Sequence, residues 1–178
     1  MSDAVVNPPV PRVIVRHGDV LDERVDVLIC SANPSLNMSG GVNGAILRRG
    51  GKDVQAELRA HLAPTGKTFV EPGTVVRTSP GPLGVGAILH AVAIDAFYES
   101  SEPMVQRTLV TAFEEAERLG ARTLAVPALA TGYGPLDVSA FTRALRAALD
   151  AHAWPFDEVR LVLRHAPDVE PARRALGI

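Results

Sequence analysis

Short runs of apolar residues alternate along the chain with longer segments in which apolar residues recur every three or four positions. The runs are rich in Val, Ile and Leu, as expected for strands that are covered on both faces. They predict strands at 12–17, 26–30, 73–78, 85–92, 123–127 and 158–163. The amphipathic segments predict helices at 42–49, 52–62, 102–119, 138–152 and 168–176.

The ends of the predicted helices carry suitable capping residues. Ser101 precedes the helix at 102–119 and Gly120 follows it, and Asp137 precedes the helix at 138–152. Strands and helices that alternate in this way predict a three-layer α/β/α sandwich around a mixed, mostly parallel sheet.

The length of 178 residues suits one domain, which we expect to span residues 12–178 after a flexible, Pro-rich leader at 1–11. Hydrophobic residues make up 47% of the chain, enough for a packed core. We find no apolar run of membrane-spanning length and no signal peptide. The only cysteine is Cys30, so no intrachain disulfide can form, and we expect a cytoplasmic protein.

The charge balance disfavours a nucleic-acid polymer as partner, because the net charge is −2 and the pI is about 6.2. A small phosphorylated ligand stays open, since helix N-termini and backbone N–H groups bind anions without Lys or Arg. The five histidines show no metal-ligand spacing, and we expect neither a metal nor a cofactor.

Two glycine-rich loops follow predicted strands and lead into predicted helices. The first reads SANPSLNMSGGVNGAI (31–46) and the second ALATGYGPLD (128–137). A glycine-rich turn entering a helix presents unpaired N–H groups to an anion, although a single Gly-Gly also fits an ordinary tight turn. The fingerprints of P-loop and Rossmann nucleotide sites are absent from the sequence.

Four motifs in order resemble the macrodomain family. These are GDV at 18–20, the loop at 31–46, ILHAV at 88–92 and PALATGYG at 127–134. The last is similar to a short bacterial variant of the family's phosphate loop. The resemblance covers about residues 12–176 and implies the macrodomain fold and a cleft that binds ADP-ribose or a related ADP-ribosyl group, free or on a protein.

The resemblance also implies a role for each matching residue. Asp19, with the backbone of Val20, would read the adenine, or Asp19 would simply cap a turn. Asn33 would bind the distal ribose. The diphosphate would lie between two segments, formed by Ser39, Gly40, Gly41, Val42 and Asn43 on one side and by Ala130, Thr131, Gly132, Tyr133 and Gly134 on the other. Ser39 replaces the first of the family's three glycines. Arg164 or His165 would stack on the adenine, where many members have an aromatic residue.

Two of the matching positions bear on whether the site catalyses a reaction. Asn33 and Asn43 are the candidate catalytic residues, but hydrolases of the family carry an Asp where Asn43 stands, and an amide cannot act as a general base. Met38 likewise replaces the His associated with a related phosphatase activity. We therefore favour a binding module over an ADP-ribosyl hydrolase. Substrate-assisted hydrolysis and, more remotely, an RNA- or nucleotide-binding module remain as alternatives.

Three further residues are interpreted from their strand context. Cys30 is expected to be a small buried side chain, and His90 a hydrogen-bonded core histidine. Tyr98 follows the HAV strand, and the sequence leaves open whether it lies at the rim of the cleft.

Overall fold

The computed structural model describes residues 10–178, in which six strands form one sheet. The strands are β1 (Arg12–His17), β2 (Val27–Ser31), β3 (Val75–Thr78), β4 (Ala87–Ala91), β5 (Thr123–Val126) and β6 (Glu158–Leu163). Their order is β1-β6-β5-β2-β4-β3, and every neighbouring pair is parallel except β3 and β4. The predicted mixed, mostly parallel sheet is confirmed. Of the predicted leader, residues 1–9 lie outside the described residues.

Five helices connect the strands. They are α1 (Gly41–Gly50), α2 (Lys52–Leu62), α3 (Glu102–Arg118), α4 (Val138–Asp150) and α5 (Val169–Leu176). The predicted N-caps are confirmed, because Ser101 accepts a hydrogen bond from Met104 N at 3.3 Å and Asp137 accepts one from Ala140 N at 2.7 Å. Within residues 10–178, each helix is too short or too polar to cross a membrane.

The two faces of the sheet bury separate hydrophobic cores, which makes the sandwich three-layered. Along β2, Val27 and Ile29 pack into the core under α3, α4 and α5. Leu28 and Cys30 point the other way, into the core under α1 and α2. This alternation follows from the two-residue period of a strand and explains why β2 is apolar at nearly every position.

Two buried carboxylates next to β1 and β6 form ion pairs with arginines. Glu23 is buried and accepts hydrogen bonds from Arg16 and Arg160. Glu158, on β6, accepts from Arg12 and Arg160. Each buried carboxylate therefore faces two guanidinium groups, as burial of charge requires.

Candidate functional site

A cavity of about 740 Å³ lies at the carboxyl ends of the central strands, a size typical of small-molecule sites. It extends from the end of β6 across β5 and β2 to the segment after β4. Three strand spacings of ~4.8 Å make this width roughly 14 Å. The residues that line it come from four loops: Ser31, Ala32, Asn33, Ser39, Gly40, Gly41, Val42, Asn43, Ile94, Tyr98, Pro127, Ala128, Ala130, Thr131, Gly132, Tyr133, Gly134, Leu136, Asp137, Val138, Val162, Leu163, Arg164, His165 and Asp168.

The side chain of Asn33 braces the first loop. Its Oδ1 accepts hydrogen bonds from Ser35 Oγ (2.9 Å) and Asn37 N (3.0 Å), and its Nδ2 donates to Asn37 O (2.8 Å). Asn33 also lines the cavity. An amide nitrogen has two N–H donors, so one remains for a ligand.

The first loop delivers the N-terminus of α1 to the cavity wall. Gly40 is the N-cap and makes no side-chain cap bond, and its carbonyl accepts from Gly44 N at 2.9 Å. Among the described residues, nothing accepts a hydrogen bond from the N–H groups of Gly41, Val42 or Asn43. Gly41 has a φ of 56°, which favours glycine. Free donors at the positive end of a helix dipole suit an anion.

The second loop is folded tightly on itself. Ala130 O accepts from Leu136 N at 3.1 Å, and Thr131 Oγ1 donates to Ala128 O at 2.8 Å. A Cβ on Gly134 would lie 2.5 Å from Ala130 O, so only glycine fits there. Within residues 10–178, the N–H groups of Thr131, Gly132 and Tyr133 have no acceptor. This loop therefore offers a second row of free backbone donors.

Positive φ angles outside glycine are confined to the loops at this end of the molecule. Among residues 10–178 they occur at Leu36 (53°), Tyr98 (64°) and Ala130 (59°). Backbone strain of this kind persists where surrounding contacts enforce it, often at functional sites. At Tyr98 the enforcing group is Asp95, whose Oδ1 accepts from Phe97 N (2.8 Å) and Glu99 N (2.9 Å).

Tyrosine rings from two loops meet at the mouth of the cavity. The rings of Tyr98 and Tyr133 are edge-to-face with centroids 6.5 Å apart, and both residues line the cavity. The structure thus places Tyr98 at the rim, which the sequence left open.

A buried polar chain lies behind Asn43. Cys30 Sγ is 3.9 Å from Asn43 Oδ1 and 3.4 Å from His90 Nδ1, while His90 Nε2 is 2.9 Å from Thr78 Oγ1. Burial lowers the pKa of His90 to about 4, against the opposing charge of Glu57. Burial also raises the pKa of the Cys30 thiol, which keeps it neutral. The predicted roles of Cys30 and His90 as interior side chains are confirmed.

The predicted site residues lie together, with two exceptions. Asp19 and Val20 are not part of the cavity lining. Asp19 Oδ1 accepts from Leu21 N (3.0 Å) and Oδ2 lies 3.5 Å from Arg49 Nη1, so its carboxylate caps the turn Val20–Asp22. Arg164 and His165 line the end of the cavity at β6.

Asp137 lies in the cavity wall, a position that was not predicted from the sequence. The sequence predicted it only as the N-cap of α4, although its place at the end of the second glycine-rich loop was a usable signal. Within the described range, no group of three or more His, Cys, Asp or Glu side chains is arranged to hold a metal ion.

Comparison with known proteins agrees with this geometry. The family model of the Macro domain matches residues 29–145, which include both glycine-rich loops. The chain belongs to the macro domain family. Its α/β sandwich also has the architecture of solved macro domains. A mutant Oceanobacillus iheyensis macrodomain with ADPR has a TM-score of 0.83 at 20% identity, covering 99% of this chain and 96% of that one.

Two curated relatives are similar to this chain over most of its length. A Streptomyces griseus macro domain-containing protein is 37% identical over 158 residues, 87% of this chain and 88% of the relative. An O-acetyl-ADP-ribose deacetylase from Enterobacter sp. (strain 638) is 37% identical over 129 residues, 70% of this chain and 69% of the relative.

Proposed function

We propose that this macro domain binds ADP-ribose, free or attached to a protein, in the cavity between the loops at 39–43 and 130–134. The observation that carries the proposal is the pair of donor rows in one cavity, the N–H groups of Gly41, Val42 and Asn43 and those of Thr131, Gly132 and Tyr133. A diphosphate between them would receive hydrogen bonds from both sides without a metal ion.

The remaining groups suggest how the ligand is oriented. Arg164 and His165 at the β6 end supply planar groups on which the adenine would stack. Asn33 and Asn43 lie near β2, and their amides would bind the distal ribose. Asp19 lies beyond the cavity lining, so we propose that it reaches the exocyclic amine of the adenine only from the edge of the site.

The test is calorimetry with ADP-ribose, AMP and an RNA oligomer, each in the presence of EDTA. We expect ADP-ribose to bind most tightly and EDTA to have no effect. Loss of binding in EDTA would contradict the phosphate site described above. Tight, strongly salt-dependent binding of RNA in preference to ADP-ribose would instead favour the nucleic-acid alternative.

We propose cytoplasmic residence because of the single, buried Cys30.

Hydrolysis of an ADP-ribosyl ester is the second candidate, favoured by the similarity to the Enterobacter deacetylase. The side chains that would face the distal ribose, Asn33 and Asn43, are both amides and supply no general base. Catalysis would then depend on a water activated by the substrate itself. A single-turnover assay of ADP-ribose release separates this candidate from binding alone.

A further inference from the structure

Gln55 is a buried polar side chain of α2 that hydrogen-bonds to the backbone of the first loop. Only 7% of it is exposed, and it does not line the cavity. Its Oε1 accepts a hydrogen bond from Met38 N at 2.8 Å, and its Nε2 donates to Leu36 O at 2.9 Å. Because one partner is a backbone donor and the other a backbone acceptor, only one orientation of the amide satisfies both.

The backbone between these two bonds needs support. Leu36 has a φ of 53°, a backbone conformation that residues other than glycine seldom adopt. Between these two residues, Asn37 N donates to Asn33 Oδ1 at 3.0 Å. The next residues, Ser39 and Gly40, belong to the cavity wall. Asn33 and Gln55 therefore both hydrogen-bond to the backbone of residues 36–38, just before the chain enters the site.

We propose that Gln55 is a positioning residue for ligand binding. By fixing residues 36–38, it sets the backbone of Ser39 and Gly40 and the direction in which the free N–H groups of α1 point. Such preorganisation raises affinity, because binding free energy is then not spent on ordering the loop. The inference rests on the proposed function, since it concerns the same cavity.

Gln55→Met tests this role, because methionine has a similar length but neither bond. It leaves Met38 N–H and Leu36 O buried without partners. We expect the folded variant to bind ADP-ribose roughly tenfold more weakly and the Met38 amide to exchange with solvent faster. Arg59→Met, at an exposed position of the same helix, is the matched control and should change neither quantity.

Gln55→Glu provides a second test that does not depend on the stability of the methionine variant. A protonated glutamic acid restores both bonds, with its C=O accepting from Met38 N–H and its O–H donating to Leu36 O. The loop at 33–41 has no ionisable side chain, and the ionisable residues nearest Gln55 in sequence are Lys52, Asp53, Glu57 and Arg59 on α2. The elements packed against α2 carry Arg48 and Arg49 on α1 and Arg77 on β3. Affinity relative to wild type at the same pH should therefore rise from about pH 8 to about pH 5.5, as the buried carboxyl becomes neutral.

The outcomes separate the two proposals. If wild type binds ADP-ribose and Gln55→Met binds it within twofold of wild type, Gln55 has no positioning role. A Gln55→Glu affinity ratio that stays constant with pH overturns the inference as well. If wild type itself does not bind ADP-ribose, the proposed function fails, whatever the exchange rate of the Met38 amide.

Discussion

The ring of Tyr133 lies over Gly40, so close that a Cβ on Gly40 would stand 2.9 Å from Tyr133 Oη. The second glycine-rich loop therefore reaches across the cavity to the N-cap of α1. Gly40 has an extended backbone (φ −170°), which any residue can adopt. A substitution at Gly40 thus meets the tip of an exposed side chain and little else.

Gly40→Ala should fold normally and weaken ADP-ribose binding by moving Tyr133 from its position. Without the hydroxyl the nearest ring atom would be 3.6 Å away, so Tyr133→Phe should remove most of the conflict. We expect the cost of Gly40→Ala to be smaller in the Tyr133→Phe background, with a coupling of about 0.5–1.5 kcal/mol in a double-mutant cycle. Additive effects on the dissociation constants would show that the two residues do not interact in the bound state.

Asn43 is one of the two amides that we propose to face the distal ribose, where an aspartate could act as a general base. Wild type should bind ADP-ribose but hydrolyse its linkage to a modified protein slowly or not at all. It lacks general-base assistance, which contributes ~10²–10⁴-fold in rate. Asn43→Asp should raise the rate while changing affinity only a few-fold. Single-turnover assays of wild type, Asn43→Asp and Asn43→Ala make the comparison. Rapid release that persists in Asn43→Ala would show that catalysis arises elsewhere in the cavity.

The order and type of the elements could be predicted because strand and helix periodicities are local. The boundaries that differ from the prediction lie at turns and side-chain contacts that hydrophobic periodicity does not encode. β3 begins at Val75 and not at residue 73, because Gly73 has a φ of 93° and Thr74 N donates to Glu71 O at 3.1 Å, which makes a turn just before the strand. Helix α4 ends at Asp150, and the indole of Trp154 donates to Ala148 O at 2.9 Å in its last turn.

The parts of the site that lie within recognisable sequence motifs could be predicted. Both loops met at one cavity, as two parallel strand ends should. Gln55 gave no signal, because a polar residue in an amphipathic helix is ordinarily exposed. Its burial depends on how α2 packs against the loop at 36–38, which no local pattern encodes.

Asp137 places an exposed carboxylate in the wall of a cavity proposed to hold a diphosphate. Asn is also a good N-cap, so Asp137→Asn should keep the start of α4 intact. Removing the charge should tighten ADP-ribose binding by about 0.3–1 kcal/mol, and the gain should shrink as salt is added. Calorimetry at low and high salt measures this. Asp53→Asn, in the first turn of α2, is the control; an equal gain there would point to net charge and not to the site.

The buried His90 should make stability depend on pH. Its folded-state pKa of about 4 lies below its ordinary value of 6.5, so between these values the unfolded chain binds more protons. Stability is therefore complete above about pH 6.5 and falls as the pH is lowered toward 4.

Urea unfolding of wild type and His90→Gln tests this dependence. From pH 7 to pH 5 wild type should lose about 2 kcal/mol more than His90→Gln. His152→Gln removes an exposed histidine and should behave like wild type. Equal pH dependence in wild type and His90→Gln would mean that His90 is not held neutral by burial.

We propose that backbone N–H groups of the two loops hold the diphosphate of ADP-ribose. Amide chemical shifts in a ¹H–¹⁵N spectrum, recorded during titration with ADP-ribose in EDTA, report on these groups individually. We expect the largest shifts, in the direction of stronger hydrogen bonds, at the amides of Gly41, Val42, Asn43, Thr131, Gly132 and Tyr133. Saturable binding that leaves these amides unmoved would contradict it.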